Sequence, residues 1–118
     1  MIVAGFGFAT QAGTESIADA LAQHAVTPDA LATLADKVDA LTALTRTHGL
    51  PIICISLTDA AAQDTQTQSA RSMSVKGTPS VAEATALAAA GPGARLIGPR
   101  TISKDRMATC AIAQGPDT

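Results

Sequence analysis

A chain of 118 residues, 47% apolar and 15% charged with a formal net charge of −2, falls within the range of one globular domain and outside that of disordered chains. Two Phe, no Trp, no Tyr and no dense basic stripe argue against a nucleic-acid binder, which needs cations and stacking rings. No apolar run reaches the ~18–20 residues of a membrane span, and the N-terminus lacks a basic region followed by an apolar stretch, so a cytoplasmic protein away from membranes is expected.

In chain order, residues 2–8 form a short apolar run containing Gly5 and Gly7, which predicts a first strand. Thr14 is placed to cap the helix that follows, with Glu15 and Asp19 early against its dipole. Ile17, Ala18, Leu21, Ala22 and Ala25 mark one apolar face at helical spacing. Thr27-Pro28-Asp29 has the form of a second helix start: a cap, a proline at the first helical position and an acid in the first turn. Two readings of the next stretch stay open. Leu31, Leu34, Val38, Leu41 and Leu44 are spaced as one amphipathic helix over 28–48; the alternative is a short helix at 28–31, a strand near 32–35 and a helix from 38 to about 48. His48-Gly49-Leu50-Pro51 is a stop.

Pro51-Ile52-Ile53-Cys54-Ile55 predicts a strand buried on both faces. Cys54 and Cys110 both lie in apolar runs and are expected as reduced, buried thiols. Residues 58–76 turn polar and rich in Gln, Thr and Ser, which predicts a mobile loop with at most a helical turn at Asp59–Gln63. The clearest helix is 80–90, where Ser80 and Glu83 have the spacing of a capping box and Gly91-Pro92-Gly93 ends the run. Residues 94–97 and 107–112 read as the closing strands, with a basic turn around 98–106 and a tail at 114–118. Alternating helices and strands predict a single α/β domain over 1–118: a mostly parallel sheet with helices packed on it, its last two strands being the candidates for antiparallel pairing.

Chemistry-bearing motifs are sparse. Gly5-x-Gly7 matches the start of a dinucleotide loop, but the third glycine position holds Thr10 and no acid follows at the required distance, so no dinucleotide cofactor is expected. What survives is that two glycines let a ligand or a neighbouring backbone come close to the strand. His24 and His48 are far apart and lack nearby ligand partners, so no metal site is expected. No serine is marked as a nucleophile. Charge is uneven: residues 1–70 carry two bases against seven acids, net −5, and residues 71–118 carry six bases against three acids, net +3. The basic half, with Lys76 just before the Gly77-Thr78-Pro79-Ser80 helix start, suits an anionic small molecule.

The order of motifs goes further. Ile2-Val3-Ala4-Gly5-Phe6-Gly7-Phe8 with Thr14-Glu15-Ser16-Ile17, then Leu31-Ala32-Thr33-Leu34 with Lys37, resembles the opening of the CobE/CbiG C-terminal domain family of cobalamin (vitamin B12) biosynthesis. Ser74-Val75-Lys76-Gly77-Thr78-Pro79-Ser80-Val81-Ala82-Glu83-Ala84 resembles that family's most distinctive block, and Ala90–Leu96, Pro99-Arg100 and Thr109–Ala113 resemble its ending. One departure is Ala9, where the family often has Arg. The resemblance implies a strand followed by a helix around Ala32–Lys37, in place of one long helix.

The resemblance also implies a corrinoid intermediate as ligand, a flat apolar ring edged with carboxylates. Such a ligand suits Lys or Arg, helix N-termini and small glycine-lined walls. The residues this points to are Gly5, Gly7, Phe8, Lys37, Ser80 and Glu83, with Lys76, Gly77, Thr78 and Arg100 as further anion contacts, converging at the C-terminal edge of a parallel sheet. CbiG-type proteins are hydrolases that open a lactone of cobalt-precorrin-5 and carry further N-terminal domains, whereas the lone domain is the CobE arrangement. A carrier or accessory to other pathway enzymes is therefore expected; the competing readings are a precorrin lactone hydrolase and a partner domain without a small-molecule site.

Overall fold

The computed structural model describes residues 1–45, 49–63, 65 and 80–116. Alternation along the first strand, β1 (Ile2–Phe8), organises everything else. Ala4 and Phe6 enter one apolar cluster, with Phe8 packed against it, while Val3 enters a second cluster on the other face. A sheet with two apolar faces must be covered twice, and helices on both sides do so.

On the Phe6 face lie α1 (Thr14–Ala22), through Ile17 and Ala20, and α2 (Val38–Leu44), through Leu41. On the Val3 face lie α3 (Leu57–Ala61), through Ala60, and α4 (Val81–Ala90), through Ala84. Residues 82–87 of α4 are all buried, as befits a helix enclosed on most sides.

The strands run in the order β3–β2–β1–β6–β4, with β5 also paired to β6. Here β2 is Ala30–Leu34, β3 Ile52–Ile55, β4 Arg95–Leu96, β5 Thr101–Ile102 and β6 Ala108–Gln114. β1, β2 and β3 pair in parallel through helical crossovers. β6 returns antiparallel along all of β1, from Ile2 opposite Gln114 to Phe8 opposite Ala108, and its own pairings with β4 and β5 are antiparallel. The sheet is thus mixed: a parallel half and, as expected of the last strands, an antiparallel half. Gly115 N–H then donates to Met1 C=O at 3.0 Å, tying the end of the chain to its start.

Several expectations need correction. Thr27-Pro28-Asp29 starts no helix: Asp29 bridges back to Ile2 through its own N–H (2.7 Å) and through its carboxylate (2.8 Å), and β2 follows at once. All five residues of β2 are buried, so the strand shows no alternation, and Leu31 and Leu34 fit helical spacing by coincidence. The strand-then-helix order implied by the family resemblance is the one observed, with a 3-10 turn at Ala35–Lys37 leading into α2. In α1 the cap is Gly13, not Thr14, and makes no side-chain bond; the buried face is Ser16, Ile17 and Ala20, whereas Ala18 and Ala22 are exposed. β3 pairs only with β2 among the described residues, so as an edge strand it is half-covered, and Cys54 is exposed where burial was expected. Cys110 is buried, and burial pushes its thiol well up from the ordinary range. The helical turn near 59–63 falls at Leu57–Ala61, capped by Ser56, whose hydroxyl accepts Asp59 N–H at 3.1 Å. Most of the 58–76 segment, and His48, lie outside the described residues.

Candidate functional site

The ends of β1 and β2 and the start of β6 meet at one edge of the sheet, the carboxyl end of its parallel half. This edge is where loops are free to differ and where open α/β sheets hold ligands. The 3-10 turn after β2 carries Lys37 across to the end of β1, so that its Nζ stands 5.2 Å from the centroid of the Phe8 ring. Both side chains are half-buried. A cation over an aromatic face is held by the ring quadrupole, worth about 0.5–1 kcal/mol at an accessible site. The ring orients the ammonium without neutralising it, and Lys37 forms no ion pair with a carboxylate among the described residues. The arrangement offers a positive charge held over a flat apolar ring.

The glycines serve a different end. A Cβ on Gly5 would run into Ala82 C=O and come within 2.6 Å of Ala86 N and 2.7 Å of Thr85 Oγ1. On Gly7 it would meet Val81 Cβ and Thr109 Oγ1, each at 3.2 Å. The neighbouring backbone that approaches β1 is therefore that of α4. Ser80 and Glu83 are likewise interior, at 0% and 1% exposure, and the Ser80 hydroxyl accepts Glu83 N–H at 3.4 Å. Ser80 acts as the N-cap. Ser80→Ala is expected to lower unfolding free energy by about 0.5–2 kcal/mol in denaturant titration while leaving ligand affinity unchanged. Loss of affinity at constant stability would contradict the capping role.

Arg100 is half-buried just before β5, beyond β6 and away from Lys37, so the sheet does not bring these two together. Lys76, Gly77 and Thr78 lie outside the described residues. A cleft of about 300 Å³ opens at the far end of α4, by Gln63, Leu87, Gly91 and Gly93, but among the described residues the charge on its wall is Asp59, which disfavours an anion.

The hairpin between β5 and β6 adds polar residues that no sequence motif singled out. Buried Ser103 donates its hydroxyl to Asp105 at 2.5 Å, accepts Ala108 N–H at 3.0 Å, and bonds Ala108 C=O through its own N–H at 2.9 Å. Asp105 also accepts the Ser16 hydroxyl of α1 at 2.5 Å and Met107 N–H at 3.0 Å. Lys104 N–H donates to Asp19 at 2.6 Å, and Met107 C=O accepts Ala9 N–H at 2.8 Å. The Ser103 hydroxyl, then Ser16, then Met107 N–H hold the Asp105 carboxyl below its ordinary value of 3.8. The only sequence signal was the Ser-x-Asp spacing of Ser103 and Asp105, a common local turn motif. Nearby, Thr101 donates to Ala20 C=O at 2.6 Å and His24 Nε2 lies 3.1 Å from Cys110 C=O, fastening the end of α1 to β5 and β6.

A depressed carboxyl value means that the folded state favours the charged form, so stability is contributed above pH ~3.8 and lost as pH falls through the lower folded value. Asp105→Asn should therefore melt below the parent at neutral pH, with the gap in Tm closing in acid. A gap constant down to strongly acidic pH would contradict the linkage.

Similarity to known proteins agrees with this architecture. The family described as cobalamin synthesis G C-terminus matches residues 2–113. The crystal structure of the cobalamin biosynthesis protein chiG from Agrobacterium tumefaciens str. C58 is 33% identical, with 99% of this chain and 100% of that chain covered at a TM-score of 0.75. The structure of CobE, a protein from the cobalamin (vitamin B12) biosynthetic pathway, is 26% identical, with 96% and 92% covered and a TM-score of 0.81. No curated protein matches the chain. Among the described residues no helix is long and apolar enough to cross a membrane. With the match running through nearly every strand and helix described above, the chain belongs to the cobalamin synthesis G C-terminus family.

Proposed function

We propose that this protein binds a polycarboxylate precorrin or corrin intermediate and hands it between, or presents it to, other enzymes of cobalamin synthesis. The observation that carries the reading is the Lys37 ammonium over the Phe8 ring at the carboxyl end of the parallel strands. A corrinoid is a flat apolar macrocycle with carboxylates on its rim, so one face can lie along an aromatic ring while a rim carboxylate meets the cation. Membership of a cobalamin synthesis family supports this class of ligand over other flat anions. Lys76, Gly77 and Thr78 are proposed as further anion contacts; Gly5, Gly7, Ser80 and Glu83 support the site by seating α4 and its cap.

The test is gel filtration of the purified protein after incubation with a series of corrin carboxylates, cobyrinic acid among them. With no Trp or Tyr in the chain, the near-ultraviolet as well as the visible absorbance of the protein peak reports bound ligand. Comigration that weakens as salt is raised is expected, because charge pairing at an accessible site is screened. No comigration with any intermediate would sink the reading in favour of a partner domain, and acetaldehyde release from a precorrin lactone would replace the carrier with a hydrolase.

A further inference from the structure

We infer that Arg106 is a second anion-contacting residue of the Lys37–Phe8 edge, which makes the site a two-cation clamp across the end of β1; this rests on the binding reading above. Arg106 is the one non-glycine residue at positive φ among the described residues, at +62°. That backbone state costs an L-residue roughly 1 kcal/mol or more where Gly would sit freely, and such outliers gather at binding sites. The surroundings enforce it. Arg106 N–H donates to Ser103 C=O at 2.9 Å. The next residue is pinned on both sides: Met107 N–H goes to Asp105 and Ser103, and Met107 C=O accepts from Ala9 directly after Phe8.

Arg106 and Lys37 therefore flank β1 from opposite sides, Lys37 from the end of β2 and Arg106 from the start of β6. Each stands just beyond the end of a strand that neighbours β1. Arg106 is exposed and makes no ion pair among the described residues. The Asp105 carboxylate beside it is engaged by three donors of its own. A ligand bearing carboxylates on separate parts of its rim meets both cations at once, whereas a monocarboxylate meets only one. The clamp thus selects for number and spacing of carboxylates.

The experiment titrates cobyrinic acid into the parent, Arg106→Gly, Arg106→Asn and Arg106→Lys, with Lys104→Ala as a nearby basic control, and records affinity, its salt dependence and Tm. Gly and Asn both accept the positive φ, so their Tm should equal or exceed the parent's. Their affinity should fall about five- to tenfold, with a shallower salt dependence, and Arg106→Lys should recover part of the loss. Parent-like affinity in Arg106→Gly and Arg106→Asn, with Lys37→Ala still weakened, would overturn the clamp and leave the binding reading intact. An equal loss in Lys104→Ala would overturn it as non-specific charge, and a parent that does not bind would overturn both.

Discussion

Gly5→Val is expected to cost about 3 kcal/mol or more of folding stability, the largest loss from any single added side chain in this sheet. The first carbon of any side chain there collides with the α4 backbone at Ala82 and Ala86, and backbone inside a hydrogen-bonded helix cannot step aside as a flexible side chain can. Relief would require α4 to lift off β1, which would open the packing of Val3, Ala84 and Ala32 beneath it. Urea titration should give a midpoint far below the parent's, or no cooperative transition. Gly13→Ser is the contrast. Nothing lies within 4 Å of its Cβ position and its backbone is extended, so a serine there can cap α1 and should raise stability by about 0.5–1 kcal/mol. A tolerated Gly5→Val would mean that α4 does not rest on β1 as described.

The periodic elements were legible in the sequence wherever one physical signal dominated. β1 came out at residues 2–8 because its apolar run and glycines admit no helical reading, and α4 was marked at both ends by Ser80 and Gly91. β2 was not legible from periodicity, because a strand buried on both faces loses the alternation that identifies it. Only the resemblance carried by Ala32, Thr33 and Lys37 separated it from a helix. β3 erred in the other direction: an all-apolar strand looks central, yet edge position is a property of topology, and Cys54 is exposed for that reason.

For the site, the residue types were legible and their roles less so. A Gly-x-Gly pair next to a strand end suggests close approach but does not say by what; here α4 approaches. A Ser-x-x-Glu spacing suggests a cap, and Ser80 serves as one. The pairing of Lys37 with Phe8 needs a parallel β1–β2 register that places the turn after β2 beside the last residue of β1. Asp105 with Ser16 spans 89 positions in sequence, and only the return of β6 along β1 brings them together. Arg106 carries no sequence signal at all, since its significance lies in a backbone angle.

The second large expected effect is at Lys37, and it tests the central claim most directly. Cobyrinic acid is titrated into the parent, Lys37→Ala, Lys37→Arg and Phe8→Leu at low and high salt, with Tm measured on each. Lys37 is half-buried and contributes a charge held over a ring, not a core contact, so Lys37→Ala should leave Tm close to the parent's. Its affinity should fall about tenfold at low salt, equivalent to about 1.4 kcal/mol, and the difference should shrink at high salt. Lys37→Arg keeps the charge and stacks on Phe8, so it should stay near the parent, while Phe8→Leu keeps the apolar packing but loses the ring that positions the cation. A Lys37→Ala protein that binds as tightly as the parent at low salt, with its fold intact, would contradict the assignment of this edge as the corrinoid site.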